Sequence, residues 1–100
     1  MNKKFLQQAQ QLQKQMMDIQ VELESAKTEG SSGGGAVKAT VTGKMRLDSI
    51  TIDPEVISED VDLLQDLITA AINEALEKAQ EMASTRMGAV TGGLNIPGIT

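Results

Sequence analysis

The side chains able to do chemistry in this sequence are charged and amide-bearing, and they are unevenly spread. Residues 1–17 hold Lys3, Lys4 and Lys14 with no acid, interleaved with Gln7, Gln10, Gln11 and Gln15. Residues 31–52 hold Lys38, Lys44 and Arg46 against Asp48 alone. Residues 53–83 hold Asp53, Glu55, Glu59, Asp60, Asp62, Asp66, Glu74, Glu77 and Glu81 against Lys78. The net charge of −5 speaks against a generic polyanion binder. The separation of the charges nevertheless allows one surface to face an anion while another faces away. Solvated helix faces would produce the same pattern.

Other chemistries are poorly supplied. The chain has no Cys and no His, so thiol nucleophiles, imidazole bases, disulfides and Cys/His zinc sites are excluded. Asp60, Asp62 and Asp66 could meet a hard cation, but the fixed ligand spacing and turn glycine of a calcium loop are missing. No motif sets a base beside a hydroxyl nucleophile. The run Gly30-Ser31-Ser32-Gly33-Gly34-Gly35 would suit a phosphate cradle only with a strand before it and a helix after it, and the order here is the reverse. The expectation is a non-enzyme with no cofactor and no metal. No stretch is long and apolar enough to span a bilayer, which leaves a cytoplasmic protein with no membrane partner as the simplest reading.

The elements that must carry these side chains are few. Phe5, Ala9, Leu12, Met16, Ile19, Leu23 and Ala26 repeat at spacings of four and three, which predicts a helix over 3–28. Leu6, Met17 and Val21 widen the stripe beyond a two-stranded seam and suggest packing on a sheet or several helices. At roughly 38 Å this helix outruns a small domain, so one end projects. Residues 30–35 read as a Gly/Ser linker, with Gly30 as the helix stop. Residues 36–52 read as an antiparallel sheet of two long or three short strands. Val37, Ala39 and Val41 alternate with Lys38, Thr40 and Thr42, Gly43 marks a tight turn, and a slip at Asp48-Ser49 requires a bulge or break. Pro54 to Ile57 reads as a turn, and Ser58 or Asp60 caps a second helix over 60–87, with Gly88 as its stop. The 91–100 tail is too rich in Gly for a helix and either stays disordered or docks Leu94 and Ile96.

Phe5 is the sole aromatic residue in 100. Aromatics usually supply the largest burial contributions, and a chain this short has a thin core already. A second copy is the natural source of the missing buried area.

These features, in this order, resemble the YbaB/EbfC family of bacterial nucleoid-associated proteins. The resemblance rests on Gln7 to Met16, Gly34 to Gly43, Ile50 to Glu55, Leu64 to Ala75 and Thr91 to Leu94, and runs across nearly the whole chain. It implies an α+β fold of α-β-β-β-α order in one domain over 1–90, with a small antiparallel sheet against two long helices. It also implies a homodimer that binds double-stranded DNA with helix ends projecting like tweezers, in nucleoid organisation and gene regulation in the bacterial cytoplasm. Carried onto this sequence, DNA contact is expected from Lys3, Lys4, Gln7, Gln10, Gln11, Lys14, Lys78 and Arg86. The dimer interface is expected to include Val41, Ile50, Ile52, Ile68, Ala71 and Ala75. Contacts of this kind reach phosphates and carry little sequence information. The competing reading is a helical scaffold or chaperone-like module, in which Met16, Met17, Met45, Met82 and Met87 adapt to protein partners.

Overall fold

A computed structural model describes residues 2–57 and 60–91. Helix α1 (Lys3–Ser25) leads into β1 (Lys27–Ser32), β2 (Val37–Thr42) and β3 (Leu47–Ile52), then a single helical turn, α2 (Pro54–Ile57), and the long α3 (Val61–Thr91). The strands form one antiparallel sheet in the order β1-β2-β3. The α+β class and the α-β-β-β-α order are as expected. The molecule is drawn out to 67 × 26 × 16 Å. Its radius of gyration is 19.0 Å, against about 13 Å for a compact chain of this length.

The first strand departs from the sequence reading, which made 30–35 a linker. The first helix ends at Ser25, not residue 28. The Ser25 hydroxyl donates to the Glu22 carbonyl, and Ala26 turns to extended backbone at φ −70°, ψ 144°. Pairing then captures the next six residues, from Lys27 against Thr42 to Ser32 against Val37. Gly30 is therefore a buried strand residue and not a helix stop. A Cβ on Gly30 would lie 2.3 Å from the Ala71 carbonyl oxygen and 2.4 Å from the Ala75 nitrogen, so β1 rests on the backbone of α3. On either side, the Thr28 hydroxyl donates to the Ala75 carbonyl (2.9 Å) and the Ser32 hydroxyl to that of Leu67. What remains of the linker is Gly33-Gly34-Gly35, all at positive φ (61°, 68°, 95°). Such a run is cheap only for glycine, and it makes a tight return into β2.

The rest of the sheet follows the alternation. Val37, Ala39 and Val41 face α3 and are fully buried. Ser49 pairs with Thr40 and Leu47 with Val41, which leaves Asp48 as the extra residue, so the slip read at Asp48-Ser49 is a β-bulge. Asp48 forms an ion pair with Lys27 across the sheet (3.2 Å). The β2–β3 turn lets Gly43 lie against the end of α1, where a Cβ would meet the Leu23 carbonyl oxygen at 2.7 Å.

Asp53 caps α2: its carboxylate accepts from the Glu55 amide (3.0 Å). Pro54 takes the first helical position, where its fixed φ fits and its missing N–H is not needed. The segment expected as a turn is thus one helical turn. Asp60 caps α3 by accepting from the Asp62 amide (3.0 Å); Ser58, the other candidate cap, lies outside the described residues, as does the tail with Leu94 and Ile96. α3 continues through Gly88 to Thr91, because nothing crowds Gly88 and an exposed helical glycine costs only about 1 kcal/mol.

Among the described residues the buried core is Leu23, Val37, Ala39, Val41, Ala71, Ala75 and Ala79. Alanines admit the sheet backbone closely but bury little area. α3 lies across β1 and β2 and leaves β3 aside, so Leu47 stays 49% exposed and Ile50 and Ile52 are half-buried.

Two glycine substitutions separate packing from helix propensity. Gly30→Ala is expected to lower stability by about 2–3 kcal/mol, because the contact is with backbone that has no rotamer to yield. Gly88→Ala is expected to raise it by about 0.5–1 kcal/mol. Urea unfolding followed by circular dichroism measures both; equal midpoints for Gly30→Ala and the parent would remove the close crossing.

Candidate nucleic-acid interface

α1 and the second half of α3 form an arm that leaves the sheet. Ala26 alone separates α1 from β1, so the sheet fixes where the helix starts. The direction is held by a bridge between Arg86 and Glu22, with Ala89 and Val90 of α3 beside Gln15 and Ile19 of α1. The helices are therefore antiparallel, and α1 runs on past the last described turn of α3. Cover on the apolar seam fades along the way. Leu23 is buried, Ile19, Met16 and Leu12 are half-buried, and Ala9 and Phe5 are exposed. The wider stripe finds no cover within the described residues: Leu6 is 47%, Met17 59% and Val21 64% exposed.

Opposite the seam lies the basic and amide face. At about 100° per residue, Lys3, Lys4, Gln7, Gln10, Gln11 and Lys14 fall within an arc of roughly 120°. All six are exposed, and Gln7, Gln10, Gln11 and Lys14 line a shallow concavity. The face spans about 16 Å from Lys3 to Lys14. The start of α1 is capped by Asn2, whose side chain accepts from the Lys4 amide (3.0 Å), and its first turn has no acid. The helix dipole is positive at this end and favours acids there. Two lysines in that position concentrate positive potential where an anion would relieve it.

Lys78 and Arg86 are differently engaged. Lys78 pairs with Glu74 (3.1 Å) and donates to the Glu29 carbonyl of β1 (3.1 Å), tying α3 to the sheet. Arg86 holds Glu22. Both act as clamps within the chain, and neither lies on the α1 face with the other six residues. The Glu74–Lys78 pair is visible as an i,i+4 spacing, but spacing alone cannot show that Arg86 finds its acid on α1, far back along the sequence. Lys38 is exposed on the sheet surface away from α3, and Lys44 and Arg46 stand beside Glu24.

The expected interface residues also divide. Val41, Ala71 and Ala75 are fully buried inside the chain's own core and cannot face a partner, because β1 presses directly on that part of α3. Ile50, Ile52 and Ile68 remain half-buried at the core's fringe, with Ile72 and Leu76.

The acidic block does not oppose the α1 face. Asp60, Asp62 and Asp66 sit at the start of α3, and Asp62 is about 44 Å along the helix from Thr91. Glu81 is nearer, yet by the same rise it lies roughly 19 Å below Lys14. Both exceed the screening length of about 8–10 Å at moderate salt. Among the described residues no three His, Cys, Asp or Glu side chains gather as a metal site, and no helix is long and apolar enough to cross a membrane.

Comparison with known proteins agrees with this architecture. A crystal structure of an uncharacterized protein from Helicobacter pylori has a similar fold, with a TM-score of 0.66 at 21% identity, covering 77% of this chain and 90% of that one. The chain is 53% identical over 96 residues to a nucleoid-associated protein of Alkaliphilus metalliredigens, covering 95% of this chain and 84% of that protein. It is 54% identical over 96 residues to a nucleoid-associated protein of Clostridium acetobutylicum, covering 95% and 86%. Residues 1–94 match the YbaB/EbfC DNA-binding family, and the chain belongs to that family.

Proposed function

We propose that this protein grips duplex DNA as a homodimer through the exposed polar faces of its two α1 arms, with little sequence specificity. The observation that carries the reading is the α1 face itself: six cationic or amide side chains on one arc, with no acid before Asp18. Its length of about 16 Å matches roughly five base-pair steps of duplex, enough for Lys3, Lys4 and Lys14 to meet successive phosphates. Glutamines between them add hydrogen bonds to phosphate or base edges. Such contacts position a protein without reading sequence. The names of the relatives support a place in the nucleoid, and gene regulation would follow from occupancy of DNA there. Binding of this kind requires no catalytic step, and a chain without His or Cys is poorly equipped for one.

The dimer is inferred from what one chain leaves uncovered. A core whose largest fully buried side chains are Val37 and Val41 is thin. The open edge and the apolar side of β3, with Leu47 exposed and Ile50 and Ile52 half-buried, together with the half-buried Ile68 and Ile72 of α3, offer apolar surface to a second copy. Joining two copies there leaves each α1 free to project and gives two arms on one duplex.

Binding to two unrelated labelled duplexes, followed by anisotropy across a salt series, tests the function. Similar affinities that fall with salt are expected. Changing Lys3, Lys4 and Lys14 together to Gln should flatten the slope of log K against log salt by about 0.9 for each phosphate that is no longer neutralised. Flat traces at low salt would end this reading and favour a protein-docking role for exposed Phe5, Leu6, Met17 and Val21. For the dimer, Leu47→Asp places a charge on β3 without touching the buried core. Sedimentation should then give the mass of one chain in place of two; an unchanged mass would take β3 out of the interface.

A further inference from the structure

The basic face of α1 ends at the level where the arm thickens. Ala89 and Val90 stand beside Gln15 and Ile19, and Arg86 bridges to Glu22, so from there to the root the arm is two helices thick. From Lys3 to Lys14 the described part of the arm is α1 alone. The charge changes at the same level. Asp18 is exposed one turn below Lys14 and points into the same arc. A phosphate backbone laid along the face meets Lys3, Lys4 and Lys14 and then a carboxylate.

A single helix with its side chains is about 10–12 Å across. The major groove of duplex DNA is about 12 Å wide and takes a helix, whereas the minor groove, at about 6 Å, does not. The root of the arm exceeds even the major groove, because packed helices stand about 8–10 Å apart axis to axis. Thickness and charge therefore limit deep contact to the same stretch, residues 3–14.

The side chains of that stretch are sorted across the arc. At about 100° per residue, Lys3 and Gln10 share one flank, Lys4 and Gln11 share the other, and Gln7 and Lys14 lie between them. A flank that pairs a cation with an amide suits the wall of a groove, where the phosphates of one strand pass. The central line suits its floor. Gln7 carries both a donor and an acceptor, and every base pair shows donors and acceptors in the major groove. A glutamine there finds a partner on any base pair, so base contact and low sequence specificity are compatible.

We propose that residues 3–14 of α1 enter the major groove of B-form DNA. Gln7 and Lys14 point to the base edges, Lys3 and Gln10 meet the phosphates of one strand, and Lys4 and Gln11 meet those of the other. This insertion rests on the DNA binding proposed above and adds to it the groove, the depth and the duplex type. The major groove of A-form RNA is too deep and narrow for side chains to read, so duplex RNA is a poor substitute.

Full-length protein titrated into one short labelled duplex with a central A·T tract, followed by anisotropy, tests this. The duplex is used unmodified, with its cytosines replaced by glucosylated 5-hydroxymethylcytosine, and with netropsin seated in the minor groove. The glucose fills the major groove and leaves the phosphates untouched. It is expected to weaken binding at least about tenfold, while netropsin leaves binding unchanged. Changing Gln7, Gln10 and Gln11 together to Ala should lower affinity for the unmodified duplex with the salt slope unaltered, since no charge is removed. Loss of binding with netropsin but not with glucose would overturn the proposal by placing α1 in the minor groove. Indifference to both would overturn it by leaving α1 outside the phosphates. In either result the unmodified duplex still binds and the DNA-binding reading stands; no binding to the unmodified duplex would remove that reading and the insertion together.

Discussion

Gly30 meets the backbone of α3 between Ala71 and Ala75 with no side chain intervening, and most of the molecule's shape depends on that crossing. A strand can come this close to a helix only where both present almost nothing: a glycine on one side and alanines on the other. The crossing sets α3 over β1 and β2, flanked by hydroxyl contacts from Thr28 and Ser32. It also places β3 to one side with its apolar residues half-covered. The same strand leads back through Ala26 into α1, so the position of α3 and the root of α1 are fixed by one strand. Glu22 and Arg86 then hold the two helices together along the arm.

A close crossing of small residues has an energetic consequence. Burying a large aliphatic side chain stabilises a fold by about 1.5–3 kcal/mol, and among the described residues only Val37 and Val41 are both fully buried and larger than alanine. One chain therefore gains little from its own interior and leaves apolar surface open on β3 and along α1. The proposed dimer answers the first of these surfaces. Charge is arranged by the same geometry. The long α3 carries its acidic first half far from the start of α1, so a chain that is negative overall can still offer an exposed basic face. Net charge misleads here because charges tens of ångströms apart are screened from one another.

Much of this was legible in the residues. The heptad spacing from Phe5 to Ala26 and the alternation of Val37, Ala39 and Val41 identified α1 and β2, and the slip at Asp48-Ser49 announced the bulge. The Lys and Gln side chains of α1 stood out as a run without acids, and the helix gathers six of them on one face. β1 was missed because Thr28, Gly30 and Ser32 carry no hydrophobic signal. Their period of two is written in small and hydroxyl side chains, suited to a helix pressed against them. The three glycines after it look like a flexible linker, yet they serve a tight return at positive φ. Arg86 looked available because its acid, Glu22, lies on another helix, and Lys78 because the β1 carbonyl it reaches, that of Glu29, belongs to a strand the periodicity did not show. Val41, Ala71 and Ala75 looked available to a partner because periodicity marks a buried face without saying which chain buries it.

The functional reading turns on DNA meeting the basic face of α1 and not the sheet surface carrying Lys38 or the turn carrying Lys44 and Arg46. A backbone amide map by NMR, recorded as a short duplex is added, separates these surfaces. The largest shifts are expected on residues 3–14, with residues 37–46 nearly unmoved. Shifts concentrated on residues 37–46, with α1 unchanged, would contradict it.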